Sequence, residues 1–173
     1  MMHGTDYAGQ NPTGWIATEK FDGLFARWDG DSLLTRNGVN YNAPTWFTVG
    51  LPVIALDCEL FAGYGKRKSL NSASRWRDEN RWRDLQLIIF DSPAIGGAYK
   101  SRHEVLTAAL SSFYFFRVCS MWFCAGQSDL ITDVQDTVKR GGEGLMIRHP
   151  DSAYTVGKVE TMLKVKPKFL QDW

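Results

Sequence analysis

The amino-acid sequence predicts an α+β fold with mainly antiparallel sheets flanked by helices, and three observations support this class. Segments typical of strands outnumber those typical of helices, short turns join many of them, and the regular strand–helix alternation of a doubly wound parallel sheet is not found. The 173 residues suffice for one domain with its own core. Hydrophobic residues make up 44% and charged residues 23% of the chain, the balance of a soluble globular protein.

The first part of the chain is predicted to hold a polar lead-in followed by strands. Residues 1–14 are mostly polar and end in Asn-Pro-Thr-Gly. Residues 24–28 and 32–36 flank Asp29-Gly30-Asp31, a spacing typical of a hairpin turn. Residues 53–60 begin apolar and end with acids, which predicts a strand inside a sheet.

The segment 64–83 differs in composition from the rest of the chain, because it carries seven basic side chains and two tryptophans. It is predicted to contain a helix. The later elements follow from apolar runs and their boundaries. They are a strand at 85–91, a helix near 100–112, a strand at 113–118, a helix capped by Ser128 and ending at Gly141, and strands at 144–149 and 162–165.

The bulk properties exclude several classes of protein. A formal net charge of +1 means that any nucleic-acid surface must be a local basic patch. The chain has no apolar run of about 18 residues and no signal peptide is recognised, so a cytoplasmic protein without a membrane partner is expected. The three cysteines lack CxxC spacing and show no zinc-ligand spacing with the three histidines, which fits a reducing compartment.

Five short segments hold most of the reactive side chains. In Glu19-Lys20-Phe21-Asp22-Gly23, a lysine lies between acids and precedes a glycine; a lone motif of this kind is equally typical of a surface turn. Arg36-Asn37-Gly38 is a turn with a basic side chain. Asp57 and Glu59 lie two residues apart in a strand, so both project from one face, towards a metal ion, sugar hydroxyls or solvent.

The last two segments lie near the end of the chain. Glu143 stands among glycines at the start of an apolar strand, where the backbone can approach a ligand closely. Lys164 and Lys166 share one face of another strand, which is either an amphipathic edge or a pair of phosphate-facing cations. Each signal alone is weak, but their order along the chain is informative.

The order of these segments resembles the motif series of the covalent nucleotidyltransferases. That series runs from a lysine in KxDG through RxG, an acidic pair, an aliphatic strand with Phe90 and EG followed by apolar residues to KxK. The segments 12–15, 28–30, 43–47 and 60–65 are similar to the minimal ATP-dependent DNA ligases of bacteria and their phages. The resemblance runs from about residue 7 to the end. It implies the adenylation-domain (ATP-grasp-like) fold of DNA ligases and a role in DNA replication, repair and recombination, in a bacterial cytoplasm or in that of a phage's host.

The resemblance implies a role for each matching residue. Lys20 would attack the α-phosphorus of ATP and carry AMP. A lysine of ordinary pKa, about 10.4, is protonated at neutral pH and cannot attack. Nearby cations and burial are the two influences that lower the pKa of a lysine. The resemblance further implies Mg²⁺ or Mn²⁺ as the metal, held at Glu59 and Glu143. The residues matching the family's nucleotide-binding positions are Thr18 and Glu19 at the adenine edge, Arg36, Glu59 at the ribose, Phe90 stacked on the purine, Glu143, Lys164 and Lys166.

The implied partner is nicked double-stranded DNA, bound by a monomer. Arginine and lysine on phosphates give affinity without sequence preference, as sealing of any nick requires. The basic segment fits such a surface, although a solvated amphipathic helix explains it equally. Its candidate DNA-binding residues are Lys66, Arg67, Lys68, Arg75 and Arg77.

Three departures from the ligase pattern bear on activity. Phe25 stands where minimal ligases have arginine, and Arg27 is expected to substitute only in part. Cys58 replaces the glycine between the two acids. Residues 1–173 are expected to form an adenylation domain alone, without the OB-fold domain that follows in ligases, so slow self-adenylation and weak sealing are expected unless a separate OB-fold partner assists. The competing hypotheses are an RNA ligase or capping-type enzyme, and a non-catalytic module that binds nicks or DNA ends.

Overall fold

The computed structural model describes residues 1–170. It divides into two compact units. The first contains Met1–Phe21, Gly96–Ser101 and the described residues from Cys119 onwards, and the second contains Asp22–Ile95 and Arg102–Val118. In chain order the elements are β1 (Met2–Asp6), β2 (Ile16–Glu19), β3 (Leu24–Trp28), β4 (Leu33–Leu34), α1 (Thr45–Thr48), β5 (Leu56–Phe61), β6 (Gln86–Asp91), α2 (Tyr99–Ala109), β7 (Phe116–Val118), β8 (Trp122–Phe123), α3 (Gln127–Lys139), β9 (Leu145–Arg148) and β10 (Gly157–Val165), with short 3-10 helices at Arg67–Leu70, Ala73–Arg75, Glu79–Asp84 and Pro167–Phe169.

The first unit is built on a five-stranded sheet in the order β1-β10-β9-β2-β8. All neighbours are antiparallel except β1 and β10. One face packs on α3, where Leu130 and Val134 form a core with Ala17, Leu145 and Leu163. Because successive strand residues point to opposite faces, the side chains at 18, 146, 148 and 164 project from the other face. Of the candidate residues within these strands, Thr18 and Lys164 lie on that side.

The second unit is built on a sheet in the order β4-β3-β5-β6-β7, antiparallel except for β6 and β7. Its core face includes Ala26, Cys58 and Ile89, and packs with the buried Phe47 and Trp82. By the same alternation, Phe25, Glu59 and Phe90 project from the opposite face. The strand registers bring them together, because Phe25 pairs with Glu59 and Glu59 pairs with Ile88.

The structure confirms the α+β class and most strands, with different bounds. The hairpin 24–28/32–36 is present, but its second strand has only Leu33–Leu34. The strand expected at 113–118 is limited to Phe116–Val118. The Ser128 cap is wrong, since α3 begins at Gln127 after Gly126. Strands β2 and β8 and the short helix α1 were not predicted.

Two predictions about whole segments are wrong. Residues 1–14 are not merely a lead-in, because Met2–Asp6 is a strand paired in parallel with β10. In place of the helix predicted within the basic segment 64–83, the structure has three short 3-10 helices, the last of which ends at Asp84. Ser72 adopts a left-handed backbone conformation, and the Asp78 side chain caps a new turn by accepting the Asn80 N–H. These two positions prevent a continuous helix from forming over this segment. No helix in residues 1–170 is long and apolar enough to cross a membrane.

Candidate active site

Lys20 follows β2 directly and is held at both its backbone and its side chain. Its backbone N–H donates to the Gly144 carbonyl at 2.9 Å. Its Nζ donates to Glu143 Oε2 at 3.0 Å. The Nζ of Lys166 pairs with the other carboxylate oxygen, Oε1. Glu143 therefore bridges two lysines, and the structure brings these three residues together.

The glycines beside Glu143 are required by close packing. Gly144 has φ +150°, and a Cβ there would lie 2.2 Å from the Val165 carbonyl oxygen. A Cβ on Gly142 would lie 2.6 Å from Thr137 Cγ2. Only glycine lets the chain enter β9 along this path, so the sequence Gly-Glu-Gly places the carboxylate of Glu143 beside Lys20.

Thr18 lies on the same sheet face as Lys20 and is bound by a buried arginine. Thr18 is 2% exposed and Arg148 is 4% exposed. Arg148 Nη1 donates to Thr18 Oγ1 at 3.0 Å, and its guanidinium carbon lies 4.7 Å from the centroid of the Tyr99 ring. Neither Arg148 nor Tyr99 was predicted from the sequence to have a role in the site. The available signal was a charged residue ending an apolar strand, since such a buried charge needs partners.

Two other predicted residues lie apart from this cluster. Lys164 pairs with Asp6 of β1 at 3.1 Å rather than with Glu143. The side chain of Glu19 alternates to the face of α3, where its Oε1 would lie 2.9 Å from a Cβ on Gly142. A direct role in nucleotide binding stays a prediction for both residues.

The second unit holds the remaining predicted nucleotide-binding residues. Glu59 Oε1 accepts the Gly23 N–H at 3.1 Å. A Cβ on Gly23 would lie 2.1 Å from the Leu60 carbonyl oxygen, which explains the glycine of the KxDG motif. The rings of Phe25 and Phe90 are 6.4 Å apart, and the Arg36 guanidinium lies 5.5 Å from the Phe25 ring centroid. Phe25 therefore forms an aromatic pair with Phe90 and a cation–π contact with Arg36.

The two acids of β5 have different partners. Asp57 is 1% exposed, and its Oδ1 accepts from Arg27 Nε at 3.1 Å and from Nη2 at 2.8 Å. A register shift separates Asp57 from Cys58. Arg27 thus neutralises a buried carboxylate of its own sheet, which supports the expectation that it replaces the missing arginine only in part.

No group of three or more histidine, cysteine, aspartate or glutamate side chains could hold a metal ion within residues 1–170. A magnesium ion does not require such a group, because it usually keeps several waters and binds one or two carboxylates together with substrate phosphates. Glu143, a single half-buried carboxylate beside two cations, fits that requirement. The assignment of Glu59 as a metal ligand stays a prediction.

The charge state of Glu143 follows from its neighbours. Partial burial by itself raises the pKa of this carboxyl, but hydrogen bonds from Lys166 and Lys20 and the charges of the two lysines outweigh burial. The pKa of Glu143 is therefore lowered from its ordinary value of 4.5. The carboxylate stays ionised at neutral pH and keeps both lysines in place.

The lowered pKa of Glu143 predicts a pH-dependent contribution to stability. A carboxyl with a depressed folded-state pKa stabilises the fold fully above its unfolded-state pKa, and this contribution is lost as pH falls through the folded-state value. We expect the difference in free energy of unfolding between the wild type and Glu143→Gln to be largest at neutral pH and to shrink below pH 4.5. Urea unfolding across this range measures it. Glu160→Gln, which removes an exposed acid of β10, is the matched control, and an equal decrease in both variants would contradict the assignment.

The predicted DNA-binding residues are all exposed on the second unit. Arg67 lies 3.6 Å from Asp22, a weak surface pair. The others are Lys66, Lys68, Arg75 and Arg77. Their solvent-exposed charges are compatible with a phosphate surface, and DNA binding by them stays a prediction.

Comparison with known proteins identifies the class of this chain. No established family profile matches it. It is 27% identical over 162 residues to a DNA ligase of Haemophilus influenzae, covering 92% of this chain and 60% of that protein. A solved Lig E DNA ligase superposes with a TM-score of 0.88 at 30% identity, over 96% of this chain and 68% of that one. The Chlorella virus DNA ligase-adenylate shares the fold, with a TM-score of 0.72 at 20% identity over 95% of this chain and 66% of that one.

The fold and the glycine-flanked Lys20–Glu143–Lys166 cluster define a ligase-type nucleotidyltransferase domain. The chain belongs to the ATP-dependent DNA ligases and corresponds to their adenylation domain. These comparisons do not favour the RNA ligase-type or non-catalytic hypotheses. The chain spans 60% of the length of its relative from Haemophilus influenzae.

Proposed function

We propose that Lys20 takes AMP from ATP as a covalent lysyl-AMP, and that the AMP then passes to the 5′-phosphate of nicked DNA for phosphodiester formation. The observation that carries the proposal is the pairing of Lys20 and Lys166 on the two oxygens of Glu143. This arrangement fixes an amine beside a proton acceptor and a second cation.

The first step requires one bond to form and one to break. The lone pair of Lys20 Nζ bonds to the α-phosphorus, and the bond from that phosphorus to the pyrophosphate oxygen breaks. The Lys20 ammonium must lose one proton to become a nucleophilic amine and a second as the N–P bond forms, because the phosphoramidate keeps a single N–H; one of these protons passes to solvent and the other to a neighbouring acceptor. Glu143 Oε2, 3.0 Å from Nζ, is placed to accept one. The ammonium of Lys166 is placed to stabilise the negative charge on the phosphate.

A Mg²⁺ or Mn²⁺ ion would be held here by Glu143 together with phosphate oxygens, and when bound it would neutralise phosphate charge. Side chains of the protein itself position the lysines and supply the remaining positive charge. Glu143 positions the two lysines while the nucleotide is absent. Lys164, paired with Asp6 at 3.1 Å, keeps a further positive charge on the same sheet face.

In the first unit, Thr18 is proposed to contact the adenine edge. Because Arg148 donates to Thr18 Oγ1, the hydroxyl hydrogen of Thr18 is directed elsewhere and can donate to an acceptor on the base. The paired rings of Phe90 and Phe25 suit stacking on a purine. Arg36 would contact phosphate and Glu59 the ribose, as in the ligases that the chain resembles.

Nicked double-stranded DNA is the proposed partner of a monomer that acts in the cytoplasm of a bacterium, or of a phage's host. The exposed basic side chains of residues 66–77 would contact backbone phosphates, which gives affinity at any sequence. The whole ligation reaction is proposed for the protein to which this chain corresponds, with an OB-fold supplied by the same or another polypeptide.

A two-stage transfer experiment tests this function. The chain is incubated with ATP and Mg²⁺, freed of nucleotide, and then mixed with nicked duplex carrying a 5′-phosphate or a 5′-hydroxyl. We expect a mass gain of one adenylyl group with ATP but not with GTP, and loss of that mass only on the 5′-phosphate duplex. Adduct formation with GTP alone would reject the adenylation, and release of AMP without AMP-capped DNA would reject the transfer.

A further inference from the structure

The second unit has a cavity of about 660 Å³ that the proposed nucleotide chemistry does not use. This volume lies in the range of about 300–1,000 Å³ that is usual for ligand sites. The lining side chains that matter here are the cations Lys66, Arg81 and Arg83, the aromatic rings of Trp76 and Tyr114, and the acid Asp84.

The cavity is built to receive negative charge, because three cations face one acid. Within residues 1–170, Lys66, Arg81 and Arg83 form no ion pair. Arg81 donates to the Ser69 carbonyl at 3.4 Å, and Arg83 donates to Asn80 Oδ1 at 3.2 Å. Since a guanidinium has five N–H donors, both arginines retain donors for a phosphate group.

Aromatic contacts hold these guanidinium groups in place. The Arg81 guanidinium carbon lies 3.9 Å from the Trp76 ring centroid, and that of Arg83 lies 5.0 Å from the Trp46 ring centroid. A guanidinium stacked on one face keeps its other face for a flat ligand, as in proteins that stack unpaired bases on arginine.

Two further groups in the lining suit a base. The Trp76 Nε1–H is buried and has no hydrogen-bond partner in the described part of the chain, and Trp76 is one of the residues that line the cavity. Buried donors of this kind are uncommon because they cost free energy unless a ligand or water accepts from them. Tyr114 is 79% exposed and offers an aromatic surface at the edge.

We propose that this cavity binds an unpaired nucleotide of single-stranded DNA. The three cations bind its phosphate, and the base stacks on the guanidinium group of Arg81 and the ring of Tyr114. The Trp76 N–H donates a hydrogen bond to an oxygen or nitrogen of the nucleotide. Bases in a duplex are stacked on each other and do not expose their faces, so the site selects unpaired segments such as an overhang or flap beside a DNA end. The choice of DNA rests on the proposed function, whereas binding itself needs no chemistry at Lys20.

Fluorescence anisotropy with short labelled oligo(dT) in the absence of ATP tests the site. Tyr114→Ala is expected to weaken binding at least about fivefold, the lower limit for loss of one base–aromatic stack, whereas Tyr114→Phe is expected to retain it. Arg83→Gln is expected to weaken binding and to reduce the salt slope by about 0.7, the value for one phosphate contact on a single strand. Lys139→Ala, an exposed lysine of the first unit, is the matched control.

Other outcomes overturn the proposal. Wild-type affinity for oligo(dT) in both Tyr114→Ala and Arg83→Gln would exclude the cavity as the binding site. An equal loss of duplex binding in Tyr114→Ala would exclude selection of unpaired bases. Competition by inorganic phosphate as strong as by oligo(dT) would define an anion site only. Repeating the titration with Lys20→Ala separates the two proposals, because oligo(dT) binding should persist whether or not lysyl-AMP forms.

Discussion

Replacement of Lys20 by alanine is expected to abolish the covalent AMP adduct completely. The reaction requires an amine at this position, and within residues 1–170 Lys20 is the lysine whose backbone N–H donates to the Gly144 carbonyl. Glu143 would still pair with Lys166 in the variant, so its half-buried carboxylate is not left without a cation and the fold should persist. Intact-mass measurement after incubation with ATP and Mg²⁺ tests this, with a thermal melt to show that the variant is folded.

Two further variants make the Lys20 result specific. Lys20→Arg keeps a positive charge beside Glu143, but a guanidinium stays protonated and is not a nucleophile, so it should also form no adduct. Lys158→Ala removes an exposed lysine from β10 and should form the adduct as the wild type does. An adduct of undiminished yield in Lys20→Ala would show that another residue carries the AMP.

The glycine-flanked cluster was predictable because its geometry is encoded in short sequence motifs. The Gly-Glu-Gly segment is forced by contacts that exclude a Cβ at positions 142 and 144, so its presence in the sequence already indicated a close approach. Lys166 follows from the KxK spacing. The contact between Lys20 and Glu143 joins residues 123 positions apart, and only resemblance to a family could bring them together in advance.

Other features depend on pairing that the local sequence does not encode. Residues 2–6 include a glycine, a histidine and an aspartate and bury only Met2, so they carry little strand signal; their strand exists because β10 pairs with it. Arg148 could not be assigned to Thr18 without the register of β2 and β9, which pairs Thr18 with Met146. The sequence shows that Phe25 stands where related ligases have arginine. It does not show the contact between Phe25 and Phe90, because that contact depends on the order of the strands β3, β5 and β6 in the sheet.

Loss of the buried ion pair between Asp91 and Arg102 is expected to have the largest effect on stability. Both lie in the second unit, and Arg102 is fully buried. Its Nε donates to Asp91 Oδ1 at 2.8 Å and its Nη2 to Oδ2 at 3.1 Å, a bidentate geometry. Arg102→Met would leave the Asp91 carboxylate buried without its cation. Breaking such a pair costs about 3–5 kcal/mol, which urea unfolding would measure.

The double variant Asp91→Leu/Arg102→Met distinguishes the loss of a charge partner from the loss of packing. If an uncompensated buried charge dominates the cost, the double variant should be more stable than Arg102→Met alone. It should remain less stable than the wild type, since Asp91 also accepts the Ser92 N–H at 2.8 Å. Lys139→Met, which breaks an exposed pair with Asp136, should cost less than about 1 kcal/mol. Equal losses in the single and double variants would assign the cost to packing. Because Asp91 directly follows Phe90 in β6, the same ion pair also fixes the end of the strand that presents the proposed adenine-stacking ring.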